Sequence, residues 1–203
     1  MEAQDYLRFL RQIKTAAFAT VDERGLPQVR MIDVMLIAPD KLYFCTARGK
    51  AFYRQLMANG QIAVTSMNEH FQMVRLSGKA VHLREQKKWL HRIFEENPSM
   101  NRIYPGNSRY ILEPFCIQEG QISFFDLSTE PIMRESLSFG KKRRTDNGFI
   151  ITDSCIGCGA CKVNCPQQCV KKGTPYKIQS CHCLHCGLCA ELCPVQAIKR
   201  KEV

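Results

Sequence analysis

Long apolar runs are missing from this 203-residue chain, and with them any segment able to span a bilayer as a helix. The start, Met1-Glu-Ala-Gln-Asp5, brings acids where a secretory leader needs a basic stretch, so no signal peptide is expected. Cysteine is scarce at first: Cys45 and Cys116 are the two in the first 150 residues. A secreted disulfide scaffold would be shorter and carry Cys throughout, and is excluded. These absences point to a reducing, cytoplasmic compartment and to no membrane partner. Acidic residues are also outnumbered, for a net charge of +10. The excess is dispersed, +3 over 1–140, +3 over 141–148 and +4 over 149–203. No nucleic-acid motif accompanies it. An acidic redox protein such as a ferredoxin or flavodoxin, or an anionic cofactor, is the expected counterpart.

What the chain does have is ten cysteines packed between Cys155 and Cys193. Eight form two copies of C-x2-C-x2-C-x3-C-P, 28 residues apart: Cys155, Cys158, Cys161, Cys165-Pro166 and Cys183, Cys186, Cys189, Cys193-Pro194. The spacing matches the bacterial iron–sulfur run, in which the fourth Cys ligates the other cluster. Soft thiolates suit iron. Short two-residue gaps wrap three corners of a cubane, whereas the longer gap and Pro turn the fourth side chain away. The expected ligand sets are therefore Cys155, Cys158, Cys161 and Cys193 for cluster one, and Cys183, Cys186, Cys189 and Cys165 for cluster two. Gly157, Gly159 and Gly187 permit close backbone approach to sulfur. Zinc knuckles are the competing reading, but they pair C-x2-C motifs across a longer gap. Cys169, Cys181, His182 and His185 stand beside the motifs with no assigned role. Residues 149–200 resemble the two-[4Fe-4S] ferredoxins. With about ten apolar residues, this module should depend on its clusters to fold.

Upstream, 45% apolar content suffices for one core, and the pattern is mostly β. Ala3, Tyr6, Leu7, Leu10 and Ile13 share a helical face. Strands are expected at Thr15–Val21, Gln28–Ile37, Leu42–Thr46, Ile62–Ser66, Gln72–Leu83, Ile111–Ile117 and Gln121–Leu127. Gly78 reads as a bulge and Gln118-Glu119-Gly120 as a turn. Helices are expected over Ala51–Asn59, stopped by Gly60, and over Glu85–Glu96, ended by Asn97-Pro98. Many short strands with few helices indicate a barrel, since closure removes edges. The expected organisation is a mainly β barrel over 1–127, a basic linker over 128–148 and a small α+β cluster domain over 149–203.

One loop argues for a ligand. Ala47-Arg48-Gly49-Lys50 puts cations at the start of a helix, where they oppose the dipole. An anion there would reverse that sign, held by free amides, Arg48 or Lys50, and the Thr46 hydroxyl.

Gly25-Leu-Pro-Gln-Val-Arg30-Met31, Leu42-Tyr-Phe-Cys-Thr46, Arg48-Gly-Lys50-Ala-Phe-Tyr-Arg-Gln-Leu56, Ile62-Ala-Val-Thr-Ser66 and Met73-Val-Arg-Leu-Ser-Gly78-Lys-Ala80 together resemble the pyridoxamine 5′-phosphate oxidase-like FMN-binding split barrels, over about 5–127. The resemblance implies a split β-barrel, a homodimer and FMN at the subunit interface. It implies that Arg30, Thr46 and Lys50 contact the FMN phosphate, that Met31 and Ile32 lie along the isoalloxazine, and that Arg48, Gln72 and Met73 are nearby. The residues with which true pyridoxamine phosphate oxidases grip their substrate give way here to the linker and the cluster module.

The expectation is an iron–sulfur flavoprotein oxidoreductase. Its two [4Fe-4S] clusters would exchange single electrons with FMN, which stores two and reduces or oxidises a small molecule. The cofactors carry the chemistry, so no catalytic side chain is named. Competing readings are an electron carrier or redox sensor without its own substrate, or a barrel acting as a dimerisation or haem-binding platform through His70, His82 or His91. Cys45 reads as a packed thiol.

Overall fold

The computed structural model describes residues 1–141 and 147–201. They divide into two compact units, the first from 1–68, 73–122 and 137–141, the second from 69–72, 123–136 and 147–201. The run Lys142–Arg144, central to the expected basic linker, lies outside the described residues.

The first unit opens with helix α1 (Ala3–Ile13), which buries Tyr6, Leu7 and Leu10 as their spacing predicts. Glu2 and Asp5 cap it reciprocally. Then come β1 (Thr15–Val21), β2 (Pro27–Asp33), β3 (Leu36–Ala38), β4 (Lys41–Ala47) and helix α2 (Ala51–Asn59), followed by β5 (Gln61–Met67) and β6 (Gln72–His82). Helices α3 (Gln86–Glu96) and α4 (Met100–Ile103) precede β7 (Leu112–Asp126) and β8 (Met133–Phe139). The sheet runs β2-β1-β5-β6-β7-β4-β3, with β8 also pairing β7. Its path ends at β2 and β3, and among the described residues no ladder joins them. The result is a curled, split barrel in place of a closed one.

Strand β4 is buried from Leu42 to Ala47, which explains why its sequence does not alternate. Phe44 faces the interior with Phe18, Phe52 and Phe115. Tyr43, Cys45 and Ala47 face the other way, packed with Leu90, Ile93 and Phe94 of α3. Burial there pushes the Cys45 thiol up to about 12, which makes it a packed thiol.

Four sequence expectations change. The single strand over Gln28–Ile37 is two strands, because Val34 donates its N–H to the Lys14 carbonyl and Met35 to Tyr43. Arg11 and the buried Asn97 pin that crossing, bonding the Val34 and Met35 carbonyls at 2.6 and 2.9 Å. Gly78 is no bulge: it sits in regular register opposite Ile62. Its missing side chain serves a close approach, since a Cβ would lie 2.5 Å from the Glu119 carbonyl oxygen. Gln118-Glu119-Gly120 is no turn either; β7 continues through it for 15 residues. Lastly, the segment expected to be a plain linker contains β8.

In the second unit, β9 (Phe149–Ile151) pairs with β12 (Ile198–Arg200), and β10 (Val170–Lys171) pairs with β11 (Lys177–Ile178). Helices α5 (Ala160–Val163) and α6 (Leu188–Glu191) sit 28 residues apart, so the sequence repeat is also a structural one. The core is small: Ile151, Cys161, Val170, Tyr176 and Ile198.

Candidate functional site

Each cysteine motif folds as a loop leading into one turn of helix, with Gly159 and Gly187 in left-handed conformations (φ 80° and 87°) before α5 and α6. The loops border two small cavities. The first is lined by Cys155, Cys158, Cys161 and Cys193, beside Tyr176, Ile151 and Ile198. The second is lined by Cys165, Cys183, Cys186 and Cys189, beside Phe149, Val170 and Ile178. The fold thus brings together the two crossed sets that the spacing predicts, three consecutive cysteines with the fourth of the other copy.

The donor chemistry fits a cubane in each cavity. Backbone N–H groups already point at sulfur, Ala197 to Cys193 Sγ at 3.2 Å and His185 to Cys183 Sγ at 3.4 Å. Burial, aided by the neighbouring cysteines, pushes the Cys161 thiol up, and that of Cys189 up to about 11. Bare thiolates are therefore disfavoured in these cavities, and an iron cluster would supply the compensating positive charge.

The second cavity holds more than its four predicted cysteines. Cys169 also lines it, 3% exposed and with Sγ 3.5 Å from Cys165 Sγ. Burial and the adjacent cysteines push its thiol up. His185, between Cys183 and Cys186, is held neutral, its pKa lowered to about 4 by burial and by Arg134, Lys201 and Arg200. Neither residue was singled out by spacing. The signal was present in the internal repeat, where the 28-residue offset sets Ala197 against Cys169 and Gly157 against His185.

In the barrel, three predicted residues surround the start of α2. Arg30, on β2, donates to Thr20 Oγ1 at 2.6 Å and to Gln55 Oε1 at 2.9 Å, with its guanidinium 4.5 Å from the Phe52 ring centre. These partners are all neutral, and burial pulls the Arg30 pKa below its usual value. Thr46 is 2% exposed, and its Oγ1 has no hydrogen-bond partner. Lys50 is the N-cap of α2, which has neither a side-chain cap nor an acid in its first turn. A half-buried cation with neutral partners, an orphaned hydroxyl and uncapped amides together suit a phosphate-bearing group.

The other predicted residues fare differently. Arg48 is taken up by Glu113, whose carboxylate also accepts from Gln86 at 3.0 Å and bonds His82 at 2.8 Å. Met31 is exposed on edge strand β2, Ile32 is half-buried, and Met73 lies opposite Met67. Gln72 belongs to the second unit, where it donates to Asp126 at 2.8 Å. Of the histidines considered for haem, His82 is engaged by Glu113, His91 lies 3.4 Å from the Tyr110 hydroxyl and His70 sits beside Glu69. Sequence reasoning passed over Thr20, Gln55 and Glu113. Thr20 and Gln55 left a trace as polar residues within the inward stripes Ala16-Phe18-Thr20 and Phe52-Gln55-Leu56.

Residues 3–104 match the pyridoxamine 5′-phosphate oxidase family, and residues 182–199 match the 4Fe-4S binding domain. A NimC/NimA family protein from Clostridium acetobutylicum has a similar structure, with 21% identity, a TM-score of 0.57, and coverage of 66% of this chain and 90% of that one. A protein from the same organism, related to general stress protein 26 of B. subtilis (pyridoxinephosphate oxidase family), gives 14%, 0.54, 69% and 97% in the same order. A haem-binding protein from Mycobacterium smegmatis gives 11%, 0.53, 68% and 58%. At these identities the likeness shows the shared split-barrel fold. No curated protein matches the sequence.

Proposed function

Because this chain belongs to the pyridoxamine 5′-phosphate oxidase family and carries a 4Fe-4S binding domain, we propose that it is an iron–sulfur flavoprotein oxidoreductase linking two [4Fe-4S] clusters to FMN. The single observation that carries this reading is the pair of cavities, each lined by one complete crossed set of four cysteines. When bound, the clusters supply one-electron steps and FMN supplies storage of two electrons for reducing or oxidising a small molecule.

The chain's own residues hold and orient these groups. Cys155, Cys158, Cys161 and Cys193 ligate one cluster, and Cys165, Cys183, Cys186 and Cys189 the other. Ile151, Ile198, Val170 and Phe149 limit water around them. In the barrel, Arg30, Thr46 Oγ1, Lys50 and the first amides of α2 bind the FMN phosphate, and Phe52 keeps the Arg30 guanidinium in place.

A homodimer belongs to the same proposal. Val29 and Met31 are 70% and 63% exposed on β2, opposite Ala19 and Ala17 of β1. A partner subunit would remove that apolar strip from water. Among the described residues no helix is long and apolar enough to cross a membrane.

The test is an anaerobic absorbance spectrum of the reconstituted protein, with iron, sulfide and flavin quantified on one sample. The expected result is iron and sulfide for two cubanes and one FMN per chain. Zinc in place of iron, or no flavin after loading with FMN, overturns the proposal.

A further inference from the structure

The two cysteine motifs repeat so closely that their differences become informative. Backbone conformation repeats with the sequence: Gly159 and Gly187 are both left-handed, as are Gln168 and Gln196 (φ 47° and 52°). The next such pair is Gly157 and His185, at 71° and 58°. A residue with a side chain in that region costs about 1–2 kcal/mol, which the first copy avoids by using glycine. The second copy places an imidazole there instead.

The ring is held from two sides. Arg134 Nη1 donates to His185 Nδ1 at 2.7 Å, which leaves the ring proton on Nε2. Nε2 faces Gly148, where a Cβ would lie 2.9 Å away, so Gly148 leaves room for it. The His185 backbone N–H points at Cys183 Sγ. Arg134 thus reaches, through one imidazole, the loop that presents Cys183 and Cys186.

Arg134 is itself fixed by the segment that carries it, Ser123–Ser136, which belongs to the same unit. Its guanidinium lies 5.0 Å from the Phe125 ring centre. At Ile132 the N–H donates to Gln167 Oε1 at 3.1 Å and the carbonyl accepts from His182 Nδ1 at 2.9 Å. Gln167 follows Cys165 by two positions and His182 precedes Cys183, so both anchors sit at ligands of the second cavity. The first copy has at Gly157 no side chain through which a cation could be held in this way.

Adding an electron to a cluster makes it more negative. A fixed guanidinium and N–H groups aimed at sulfur stabilise the reduced form, which raises the potential. We propose that the Arg134–His185 pair sets the cluster held by Cys165, Cys183, Cys186 and Cys189 at a higher potential than the other, so that an electron entering the module comes to rest there. The inference rests on the two-cluster reading above. One electron leaves the reduced first cluster and one arrives at the oxidised second; no bond breaks and no proton moves. An external one-electron reductant starts the process.

The test is a potentiometric titration of the full-length, cluster-loaded protein, followed by electron paramagnetic resonance, with iron and sulfide measured for every variant. Cys158→Ser and Cys186→Ser show which signal belongs to which cluster. The expected result is two separate steps, the higher one from the Cys186 cluster. Arg134→Gln should lower that step alone, its reduction constant falling about tenfold, or about 59 mV for one electron. Arg134→Lys, which keeps the charge, should largely retain it, and His185→Gly should bring the two steps together. Coincident steps in the unmodified protein, a shift in both clusters, or no shift in Arg134→Gln overturns the proposal. Loss of iron from Arg134→Gln overturns it in favour of a structural role for Arg134. An unmodified protein that takes up no clusters sinks the underlying reading as well.

Discussion

Thr46 is buried with no partner for its hydroxyl, and Arg30 is a half-buried cation held by neutral groups; each gives a test at the level of one side chain. The Thr46 hydroxyl, shielded from water and unpartnered, is a cost to the flavin-free protein. Thr46→Val keeps the shape and removes that group. The flavin-free variant should be more stable by about 1–3 kcal/mol in urea unfolding. Its FMN affinity, read by quenching of flavin fluorescence, should meanwhile fall about ten- to a hundredfold, since one hydrogen bond to a charged group contributes about 1.5–3 kcal/mol. A variant that loses stability as well would show that the hydroxyl serves the fold. Arg30→Gln keeps a hydrogen-bonding group near Thr20 and Gln55 but removes the cation, and should weaken FMN binding about ten- to a hundredfold. Such groups are hard to recognise in a sequence, because an arginine on a strand looks the same whether it faces water, an acid or neutral neighbours.

The elements were legible where their pattern is local. The buried stripe of α1, the αL stop of α2 at Gly60 and the alternation of β1 all follow from neighbours within a few positions. Strand β7 was misread because Gln118-Glu119-Gly120 carries turn-like residues, yet the glycine there answers a neighbouring strand. A Cβ on Gly120 would lie 2.3 Å from the Ser77 carbonyl oxygen and 3.1 Å from the Phe139 ring. Gly120→Ala should therefore lower the unfolding free energy by about 1–3 kcal/mol, measured in denaturant. Gly49→Ala, whose Cβ meets nothing within 4 Å, is the control, with a change within about 0.5 kcal/mol. Equal stability of the two variants would mean that β6 and β7 do not approach as described.

Across the molecule, the two units differ in what stabilises them. The first buries Phe18, Phe44, Phe115 and a wide aliphatic core, and should stand without metal. Among the described residues the second packs only a small cluster, with Ile151, Val170, Tyr176 and Ile198 at its centre, beside its cavities, and its folding energy should come largely from cluster binding. Removing iron with a chelator and an oxidant should open residues 147–201 to protease within the time that 1–68 resists it, with fragments identified by mass. Simultaneous digestion of both regions would show that the barrel also needs the clusters. Intact resistance of 147–201 would show that the cysteine module folds without them.

The two cysteine sets that line the cavities could be read from the chain because three members of each lie on one short loop, where distance along the chain is nearly distance in space, and the repeat itself pointed to the fourth. Barrel class and the helix at Ala51 were accessible for the same reason of short range. Contacts between remote segments lay beyond that reach. The bond from Arg134 to His185 spans 51 positions and that from Arg48 to Glu113 spans 65, and nothing in either neighbourhood names its partner. Folding alone chose which cation would meet a carboxylate, which would remain among neutral groups, and which would lean on the loop that presents Cys183 and Cys186.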